Sequence, residues 1–325
     1  MQKAKKRVIS VTAVLLAVLV ALTALLPTAG TAQAATMRSK YTGKNYTHNA
    51  RFDKLEVLNG VDISAWQEKV NWKKIKNDGI DFAILRAGYG KNASQEDAYF
   101  ATNFKNATAA GLPVGIYWYS YAKSVADVEK EARLCLQVLG SRTLDLPVFY
   151  DLEESSQLNK GKAFCTQLVE RFCSIIAAAG HTPGLYMSRS PLLDYIEQET
   201  RGRYALWVAE YGSKTCKYDG DYLMWQYADN GKVAGVNGNT DMDFLYGNKN
   251  SLPGSATLLK SKTYTGKAIT PAPTVTGEDG QPLKADKDYT LTYINNKAVG
   301  MATITAQGLG TYTGRRWYYR FKILP

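Results

Sequence analysis

Apolar, strand-like runs alternate with amphipathic, helix-like stretches along the middle of the chain. The strand-like runs are Gly60–Ser64, Asp81–Arg86, Pro113–Tyr121, Pro147–Glu153 and Thr182–Ser188. The stretches that follow them carry apolar residues at helical spacing, and they are Trp72–Asn77, Asp97–Ala110, Val125–Leu139, Gly161–Ala179 and Pro191–Glu199. This alternation predicts five consecutive β–α units built around a parallel sheet.

Three further strand-like runs follow without helical stretches between them. They are Ala205–Tyr211, Tyr222–Tyr227 and Thr240–Tyr246, and they are joined by Gly- and Asn-rich turns that are too short for a full helix. Eight strands with helices after the first five only predict an α/β fold, an irregular TIM-like (β/α)5(β)3 barrel over residues 58–250. A regular eight-fold barrel uses about 250 residues, so this shorter span agrees with the missing late helices.

The N-terminal residues differ from this middle segment. Four basic residues precede an apolar run that ends near Leu26, and Ala32-Gln33-Ala34 then offers a small-x-small cleavage site. Residues 1–34 are therefore predicted to be a signal peptide and the protein to be secreted, with an uncleaved membrane anchor as the alternative. Residues 35–57 lack periodicity and are predicted to be a linker.

Residues 255–325 form a separate, basic segment. After Leu252–Ser255 the helical spacing disappears, and short strand-like runs with Gly, Pro and Asn-Asn turns predict a small all-β module. This segment holds ten Lys and Arg against four Asp and Glu. The positive excess favours binding to anionic wall polymers, or it serves solubility alone. The chain has no basic-aromatic motif of a nucleic-acid reader, and export also argues against nucleic acid as a partner.

The cysteines and histidines restrict the chemistry. Disulfides are possible in an exported chain with four cysteines, which are Cys135, Cys165, Cys173 and Cys216. Cys165 and Cys173 lie in one predicted helix about 12 Å apart, too far to bridge each other, so two full pairings remain. Buried free thiols are the alternative. Because the chain has no Cys-x-x-Cys motif and only two histidines, we expect neither a metal site nor a histidine-activated nucleophile.

Two neighbouring acids follow the apolar strand Leu146–Tyr150. Side chains alternate along a strand, so Asp151 and Glu153 share one face and lie about 6 to 7 Å apart. Like charges at this separation raise the pKa of at least one carboxyl, which can then stay protonated while its neighbour is an anion. Glycoside hydrolysis requires this division between two carboxyl groups. The alternative is a pair of solvated or ion-paired loop acids.

Further candidate residues fall near the same ends of other predicted strands, where βα barrels carry their chemistry. Asp62 lies in the first strand, and Asp241 and Asp243 lie in the eighth, which barrel closure places beside the first. Aromatic rings and polar tips near this rim suit the faces and hydroxyls of sugars. The predicted substrate contacts are Arg86, Tyr119, Tyr150, Tyr186, Trp207, Glu210, Tyr211, Trp225 and Gln226.

A series of motifs covers Leu58–Asn248. The motifs are GVDISAWQ (60–67), AILRAGYG (83–90), GIYWYSY (115–121), PVFYDLE (147–153), LWVAEY (206–211), WQY (225–227) and GNTDMD (238–243). In order and spacing they resemble glycoside hydrolase family 25, the lysozymes that act as N-acetylmuramidases. The C-terminal segment resembles the small immunoglobulin-like β-sandwich modules of bacterial surface proteins.

The resemblance implies a role for each acid. Glu153 would donate a proton to the leaving sugar oxygen. Asp151 would stabilise the oxocarbenium-like centre, either as nucleophile or by steering the substrate's 2-acetamido group, and the reaction would retain anomeric configuration. Asp62 and Asp241 would hold the substrate and tune Glu153.

Two positions depart from the family pattern. Asp243 stands where Asn is usual, which leaves open whether it or Asp241 is the acid of the eighth strand. Glu210 stands where a polar neutral residue is usual, and its negative charge is expected to raise the pKa of Glu153.

The function implied by the resemblance is that of a secreted or wall-associated monomer. It would hydrolyse the β-1,4 bond between N-acetylmuramic acid and N-acetylglucosamine in bacterial peptidoglycan, without a metal or organic cofactor. One alternative is a catalytically silent wall-binding protein, against which the presence of all four acids stands. The other is a chitinase-like N-acetylglucosaminidase, whose longer motif has acids upstream where this chain has Val148-Phe149-Tyr150.

Overall fold

The computed structural model describes residues 35–248, 252–254, 256–277 and 279–325. The predicted signal peptide, residues 1–34, lies outside the described residues, and so do residues 249–251 and 255 at the predicted domain boundary. Within the described ranges, no helix is both long enough and apolar enough to cross a membrane.

Residues 35–55 of the predicted linker fold against the outside of a barrel, and residues 56 and 57 begin its first strand. They contain β1 (Thr36–Arg38) and β2 (Asn45–Thr47), which pair antiparallel. The buried ring of Tyr46 packs edge-on against three aromatic rings of the last two barrel strands. The buried His48 imidazole bonds to a tyrosine hydroxyl of the last barrel strand at 2.9 Å. The linker prediction is therefore wrong, because these aromatic side chains are buried against the barrel. The sequence did not show this, since strands of this length are too short to have a recognisable periodicity.

Eight strands close into the barrel. They are β3 (Glu56–Ile63), β4 (Phe82–Tyr89), β5 (Val114–Tyr119), β6 (Val148–Asp151), β7 (Pro183–Ser188), β8 (Ala205–Ala209), β9 (Met224–Gly231) and β10 (Thr240–Gly247). β3 to β9 run parallel to their neighbours in chain order, and β10 closes the barrel between β9 and β3. The predicted α/β fold with an eight-stranded barrel is confirmed.

The last barrel strand, β10, is antiparallel to both of its neighbours. The residues between β9 and β10, 232–239, contain no helix. A return in the parallel direction would need a crossover of about a dozen residues or more, whereas a short connection reverses the chain. The reversal brings the N-terminal end of β10 to the rim where the parallel strands have their C-terminal ends. Asp241 consequently lies directly opposite Asp62 of β3.

Helices follow the first five barrel strands, and the described residues that join β8, β9 and β10 contain none. The helices are α1 (Trp72–Asn77), α2 (Phe100–Ala109), α3 (Val125–Leu139), α4 (Ser155–Leu158), α5 (Lys162–Ala178), α6 (Arg189–Tyr195) and α7 (Gln198–Arg203). Ser124 caps α3, since its hydroxyl accepts the backbone N–H of Asp127 at 3.2 Å.

Two apolar layers stabilise the barrel, one inside it and one between its strands and helices. Phe82, Phe149 and Met224 belong to the inner layer. Tyr150 belongs to the outer layer and stacks on Phe172 of α5 with ring centroids 4.3 Å apart. Because side chains alternate along a strand, every second residue faces the interior, and this alternation decides which side chains reach the rim of the barrel.

The C-terminal segment contains one sheet. Its strands are β11 (Thr257–Leu258), β12 (Lys262–Thr263), β13 (Tyr289–Ile294), β14 (Gly300–Gly308) and β15 (Arg316–Leu324). β15 pairs with β14, β11 and β12, and β14 pairs with β13. Among the described residues of this segment no second sheet faces the first; irregular chain, including Val275, packs on its apolar face instead. The predicted immunoglobulin-like sandwich is not confirmed.

This C-terminal sheet packs against the barrel. Ser174 of α5 donates its hydroxyl to Asn295 Oδ1 at 2.9 Å, and Asn295 Nδ2 donates to the Ser174 carbonyl at 2.7 Å. Arg320 Nη2 donates to the Thr182 hydroxyl at 3.0 Å. Thr182 directly precedes β7, so this contact lies at the N-terminal end of the parallel strands, opposite the rim that carries Asp62.

Candidate active site

A cleft opens at the C-terminal ends of the parallel barrel strands. Ten of the residues predicted from the sequence line it, and they are Asp62, Arg86, Tyr119, Asp151, Glu153, Tyr186, Trp207, Tyr211, Gln226 and Asp241. Each of the eight barrel strands contributes at least one of them. The fold therefore brings acids that are far apart in the sequence to a single cleft.

Five more residues line the cleft that the sequence analysis did not single out as site residues. They are Ser64, Trp66, Gln67, Tyr117 and Asp229. Tyr117 could have been found, because it precedes Tyr119 by two residues and therefore lies on the same face of β5. Asp229 was missed because β9 continues beyond its predicted end at Tyr227.

Three predicted substrate contacts lie elsewhere. Tyr150 faces the helices and donates its hydroxyl to buried Glu131 at 3.1 Å. Trp225 is fully buried on the outside of the barrel, and its indole N–H donates to the Glu210 carbonyl at 3.1 Å. The Glu210 carboxylate pairs with Arg189 at 3.1 Å and is not part of the cleft wall. These three predictions are wrong. Tyr150 and Trp225 face away from the cleft because their neighbours Asp151 and Gln226 occupy the inward face of their strands.

A hydrogen-bond chain fixes the Asp62 carboxyl group. Gln226 Nε2 donates to Asp62 Oδ2 at 2.7 Å. The Tyr186 hydroxyl donates to Gln226 Oε1 at 2.7 Å, and the Tyr211 hydroxyl donates to the same oxygen. With both hydroxyls on its oxygen, the Gln226 amide must present its N–H to Asp62.

The two acids of β10 occupy different environments. Asp241 lines the cleft, and burial raises its pKa to about 6, with a further contribution from the negative charges of Asp229 and Glu153. Asp243 is fully buried and does not line the cleft. Its Oδ1 accepts the indole N–H of Trp207 at 2.7 Å. Of the two candidates for the acid of the eighth strand, Asp241 is therefore the one within reach of a substrate.

Asp151 and Glu153 differ in exposure and in their neighbours. Asp151 is 4% exposed, and its Oδ1 has no hydrogen-bond partner among the described residues. Burial and then Glu153 raise the pKa of Asp151, while the Arg86 guanidinium opposes the rise. The Glu153 side chain reaches the solvent in the cleft, where surrounding protein atoms displace enough water to raise its pKa, and Glu154 raises it further. A Tyr119 hydrogen bond acts in the opposite direction.

One cation and several aromatic rings complete the cleft. Arg86 Nε donates to Asp97 Oδ2 at 2.8 Å, and the Asp97 side chain is inaccessible to solvent, so the guanidinium is held in place. Trp66 at the rim is 83% exposed, and Tyr211 is 43% exposed. Exposed rings of this size offer flat surfaces on which the C–H faces of a sugar can pack.

The family model for glycosyl hydrolases family 25 matches residues 61–236, which is more than half of the chain. The chain belongs to glycosyl hydrolase family 25. The matched range contains nine of the ten predicted residues that line the cleft, and Asp241 falls just beyond it.

Two relatives that are named as lysozymes support this assignment, and a third relative is an uncharacterized protein. The autolytic lysozyme of Clostridium acetobutylicum is 26% identical over 186 residues, which cover 57% of this chain and 55% of that protein. Lysozyme M1 of Streptomyces globisporus is 26% identical over 208 residues, which cover 58% of this chain and 68% of that protein. The uncharacterized protein YegX of Escherichia coli O157:H7 is 30% identical over 206 residues, or 60% of this chain and 72% of that protein. This family 25 member is a glycoside hydrolase of the lysozyme type.

Solved structures share the fold. The CTP1L endolysin aligns with a TM-score of 0.55 at 24% identity, covering 64% of this chain and 73% of that one. A family 25 glycosyl hydrolase from Bacillus anthracis aligns with a TM-score of 0.53 at 22% identity, covering 61% of this chain and 92% of that one. At these identities the likeness concerns the architecture of the barrel.

Proposed function

We propose that this family 25 enzyme is a secreted muramidase. It hydrolyses the β-1,4 bond between N-acetylmuramic acid and N-acetylglucosamine in peptidoglycan and retains anomeric configuration. The observation that carries the proposal is the contrast between two neighbouring acids in one cleft. Arg86 favours the anion of Asp151, whereas burial favours its protonated form, and Glu154 favours the protonated form of both Asp151 and Glu153. Repulsion between the two carboxylates favours one proton for the pair, and in this proposal the proton is carried by Glu153, the acid that is exposed to the cleft.

Glu153 acts first as the general acid. It gives its proton to the glycosidic oxygen while the bond from that oxygen to the anomeric carbon breaks. In the second half of the reaction it removes a proton from the water that attacks the anomeric carbon, which restores the protonated acid. Its exposure within the cleft gives it access to both the leaving oxygen and this water.

Asp151 acts on the other side of the breaking bond. Its buried Oδ1 lacks a donor among the described residues, and a carboxylate oxygen without a donor accepts one readily from a ligand. The N–H of the substrate's 2-acetamido group is such a donor. Hydrogen bonding to Asp151 would turn the acetamido oxygen toward the anomeric carbon, where it displaces the leaving group and is later displaced by water.

Asp62 and Asp241 hold the sugar that occupies the cleft. They lie opposite each other on adjacent strands, and their negative charges favour the positive charge that develops on the sugar ring. Arg86, Tyr119, Tyr186, Trp207, Tyr211 and Gln226 supply the surrounding contacts.

The wider arrangement fits an enzyme that acts on the cell wall. The basic C-terminal segment binds anionic wall polymers, and its sheet lies at the barrel end opposite the cleft, so that binding leaves the cleft open. The protein acts outside the cell, which rests on the predicted signal peptide at residues 1–34. We also propose that it acts as a monomer.

The test compares two adjacent substitutions on purified peptidoglycan. Glu153→Gln removes the acid and should abolish the release of reducing ends. Glu154→Gln should retain release, because its amide oxygen can still accept the Tyr119 hydroxyl, which donates to Glu154 Oε1 at 2.7 Å in the native protein. Loss of the Glu154 charge should lower the pKa of Glu153 and move the pH optimum to lower pH. Unchanged turnover in the Glu153 variant would rule out the assigned role.

Chitin serves as the second substrate. A muramidase should leave chitin intact under conditions in which it digests peptidoglycan. Equal or faster digestion of chitin would support a chitinase-like enzyme, and binding of peptidoglycan without digestion of either polymer would support a silent wall-binding protein.

A further inference from the structure

A second cavity, of about 300 Å³, lies at the end of the barrel opposite the cleft, and we call it the basal cavity. Its wall consists of residues 140–144 and 146, which follow α3, residues 180–182, which join α5 to β7, Gly254, and Arg320 of β15. The cavity opens to solvent, since Ser141 and Thr143 on its wall are exposed. Among the described residues that line it there is no Asp or Glu, so its charged side chains are the two arginines, Arg142 and Arg320.

Arg320 is fixed in the wall and has an unused donor. Its Nη2 donates to the Thr182 hydroxyl at 3.0 Å, and that hydroxyl donates to the Pro253 carbonyl at 2.6 Å. Arg320 Nε is buried, and no hydrogen-bond acceptor of the described residues reaches it. Burial also lowers the pKa of Arg320, although a guanidinium keeps its proton in proteins. A buried donor without an acceptor is costly, so an acceptor from outside the chain would stabilise this side chain.

Arg142 supplies the second charge from the opposite side of the basal cavity. Its Nη1 donates to the carbonyls of Val138 and Leu139 at 2.9 and 3.0 Å. Its Cζ lies 5.5 Å from the centroid of the Phe100 ring, which helps to hold the guanidinium in place. Within the part of the chain that the structure describes, neither Arg142 nor Arg320 forms an ion pair with an acid.

The positive charge of the basal cavity exceeds the negative charge around it. The cavity lies beyond the C-terminal ends of α3 and α5, which contribute about half a negative charge each, so two guanidinium groups leave an excess of about one positive charge. Asp145, the acid nearest to the wall in sequence, uses its carboxylate to accept the backbone N–H of Val114 at 3.2 Å. Burial, followed by the charge of Arg320, lowers the pKa of His181, so this imidazole is neutral at pH 7 and offers one N–H.

We infer that the basal cavity binds a phosphate group, either as the free ion or within a phosphodiester polymer of the cell wall. Donors face the cavity from three segments of the chain, which suits the oxygens of a tetrahedral anion better than the two oxygens of a planar carboxylate. The fork of a guanidinium matches phosphate geometry. Since a water molecule takes about 30 Å³ of liquid, the cavity has room for a phosphate group together with water.

The site gives the proposed binding of wall polymers a specific location, and in this respect it rests on the proposed function. Arg320 contributes from the basic C-terminal segment, whereas Arg142 and His181 contribute from the barrel. A polymer bound there would leave the cleft free for the sugar strand, because the two openings lie at opposite ends of the barrel. Binding of phosphate itself does not depend on whether the cleft cleaves peptidoglycan.

The first experiment locates the site in the native protein. Inorganic phosphate is titrated at pH 7 and constant ionic strength while the backbone amide signals are followed by NMR. The signals of residues 140–143 and 180–182 should shift and reach saturation. The absence of saturable shifts, or shifts confined to the residues of the cleft, would overturn the inference.

The second experiment compares matched variants by calorimetric titration with inorganic phosphate. Arg320→Gln should weaken binding about tenfold or more, because one charge-assisted hydrogen bond is lost. Lys322→Gln is the control: Lys322 lies two residues further along the same face of β15, is exposed and does not line the basal cavity, so the affinity should change by less than about twofold. Equal weakening by both substitutions would indicate unspecific attraction and contradict a site.

A third variant covers the case in which Arg320→Gln loses its native circular dichroism spectrum. Thr143 is exposed, so Thr143→Val should fold, and removal of its hydroxyl should weaken phosphate binding about threefold. An unchanged affinity in Thr143→Val, together with a misfolded Arg320→Gln, would count against the site.

The last experiment distinguishes the two sources of phosphate. Binding is measured by sedimentation with cell walls before and after extraction of their phosphodiester polymers with hydrofluoric acid, and all proteins carry Glu153→Gln so that the walls remain intact. The protein should bind untreated walls about fivefold more tightly than extracted walls, and Arg320→Gln should lose this preference. Binding of inorganic phosphate without a preference between the walls would identify the free ion as the ligand and overturn the polymer role. If the native protein does not cleave peptidoglycan, the proposed function fails, while these binding results still decide whether the site exists.

Discussion

Glu131 offers a sharp test of how β6, the strand that ends at Asp151, is supported. Its carboxylate is 0% exposed behind β6 and accepts three hydrogen bonds. The donors are the Ser120 hydroxyl at 2.8 Å, the Tyr121 backbone N–H at 2.8 Å and the Tyr150 hydroxyl at 3.1 Å. Ser120 and Tyr121 directly follow β5, which carries Tyr119, so Glu131 supports one wall of the cleft. The perturbation is Glu131→Gln, which keeps the shape of the side chain and removes its titratable carboxyl group.

The magnitude follows from the pKa of Glu131. Burial raises it from the ordinary value of 4.5 to about 7, although the three hydrogen bonds oppose the rise. The folded protein therefore holds this proton more tightly than the unfolded chain. The resulting stabilisation is complete below pH 4.5 and is lost as the pH rises toward 7. A pKa difference of about 2.5 units corresponds to roughly 3 kcal/mol of unfolding free energy.

The assay is denaturant unfolding of the native protein and of Glu131→Gln at a series of pH values, with unfolding monitored by tryptophan fluorescence. Groups that titrate alike in both proteins cancel in the difference between their free energies of unfolding. That difference should move by about 3 kcal/mol in favour of the variant between pH 4.5 and 7. A difference that stays constant across this range, or that moves in favour of the native protein, would refute the reasoning.

Two further predictions concern surface and core. We expect the exposed Trp66 ring to pack on a sugar of the substrate, so Trp66→Ala should lower kcat/KM on peptidoglycan roughly tenfold, about 1.4 kcal/mol. Since Trp66 is 83% exposed, the free energy of unfolding should change by no more than about 0.5 kcal/mol, and a large loss of stability would contradict this explanation. The four cysteines are free and buried, so a thiol reagent should label none in the native protein and all four after unfolding; labelling of the native protein would contradict their burial.

The barrel could be predicted from the sequence because its signals are local. Helical spacing over Val125–Leu139 and Gly161–Ala179 matches α3 and α5 to within a residue at each end. The packing of residues 35–55 could not be predicted in this way. Its strands have three residues each, and the burial of Tyr46 depends on rings that lie about 180 residues away in the sequence.

The site shows the same division between local and distant information. The inward position of Asp151 follows from strand alternation, which also excludes Tyr150 and could have corrected that prediction from the sequence alone. The direction of β10 depends on the connection before it. The hydrogen bond from Gln226 to Asp62 joins residues 164 positions apart. It arises only when the barrel closes, and no spacing in the sequence encodes it.

The central claim is that the acids of this cleft cleave peptidoglycan after N-acetylmuramic acid. The most direct measurement is mass spectrometry of the sugar fragments that the native protein releases from purified cell walls, after chemical reduction of their new ends. We predict that the reduced sugar is N-acetylmuramic acid. Reduced N-acetylglucosamine, or the absence of any new reducing end, would contradict the claim.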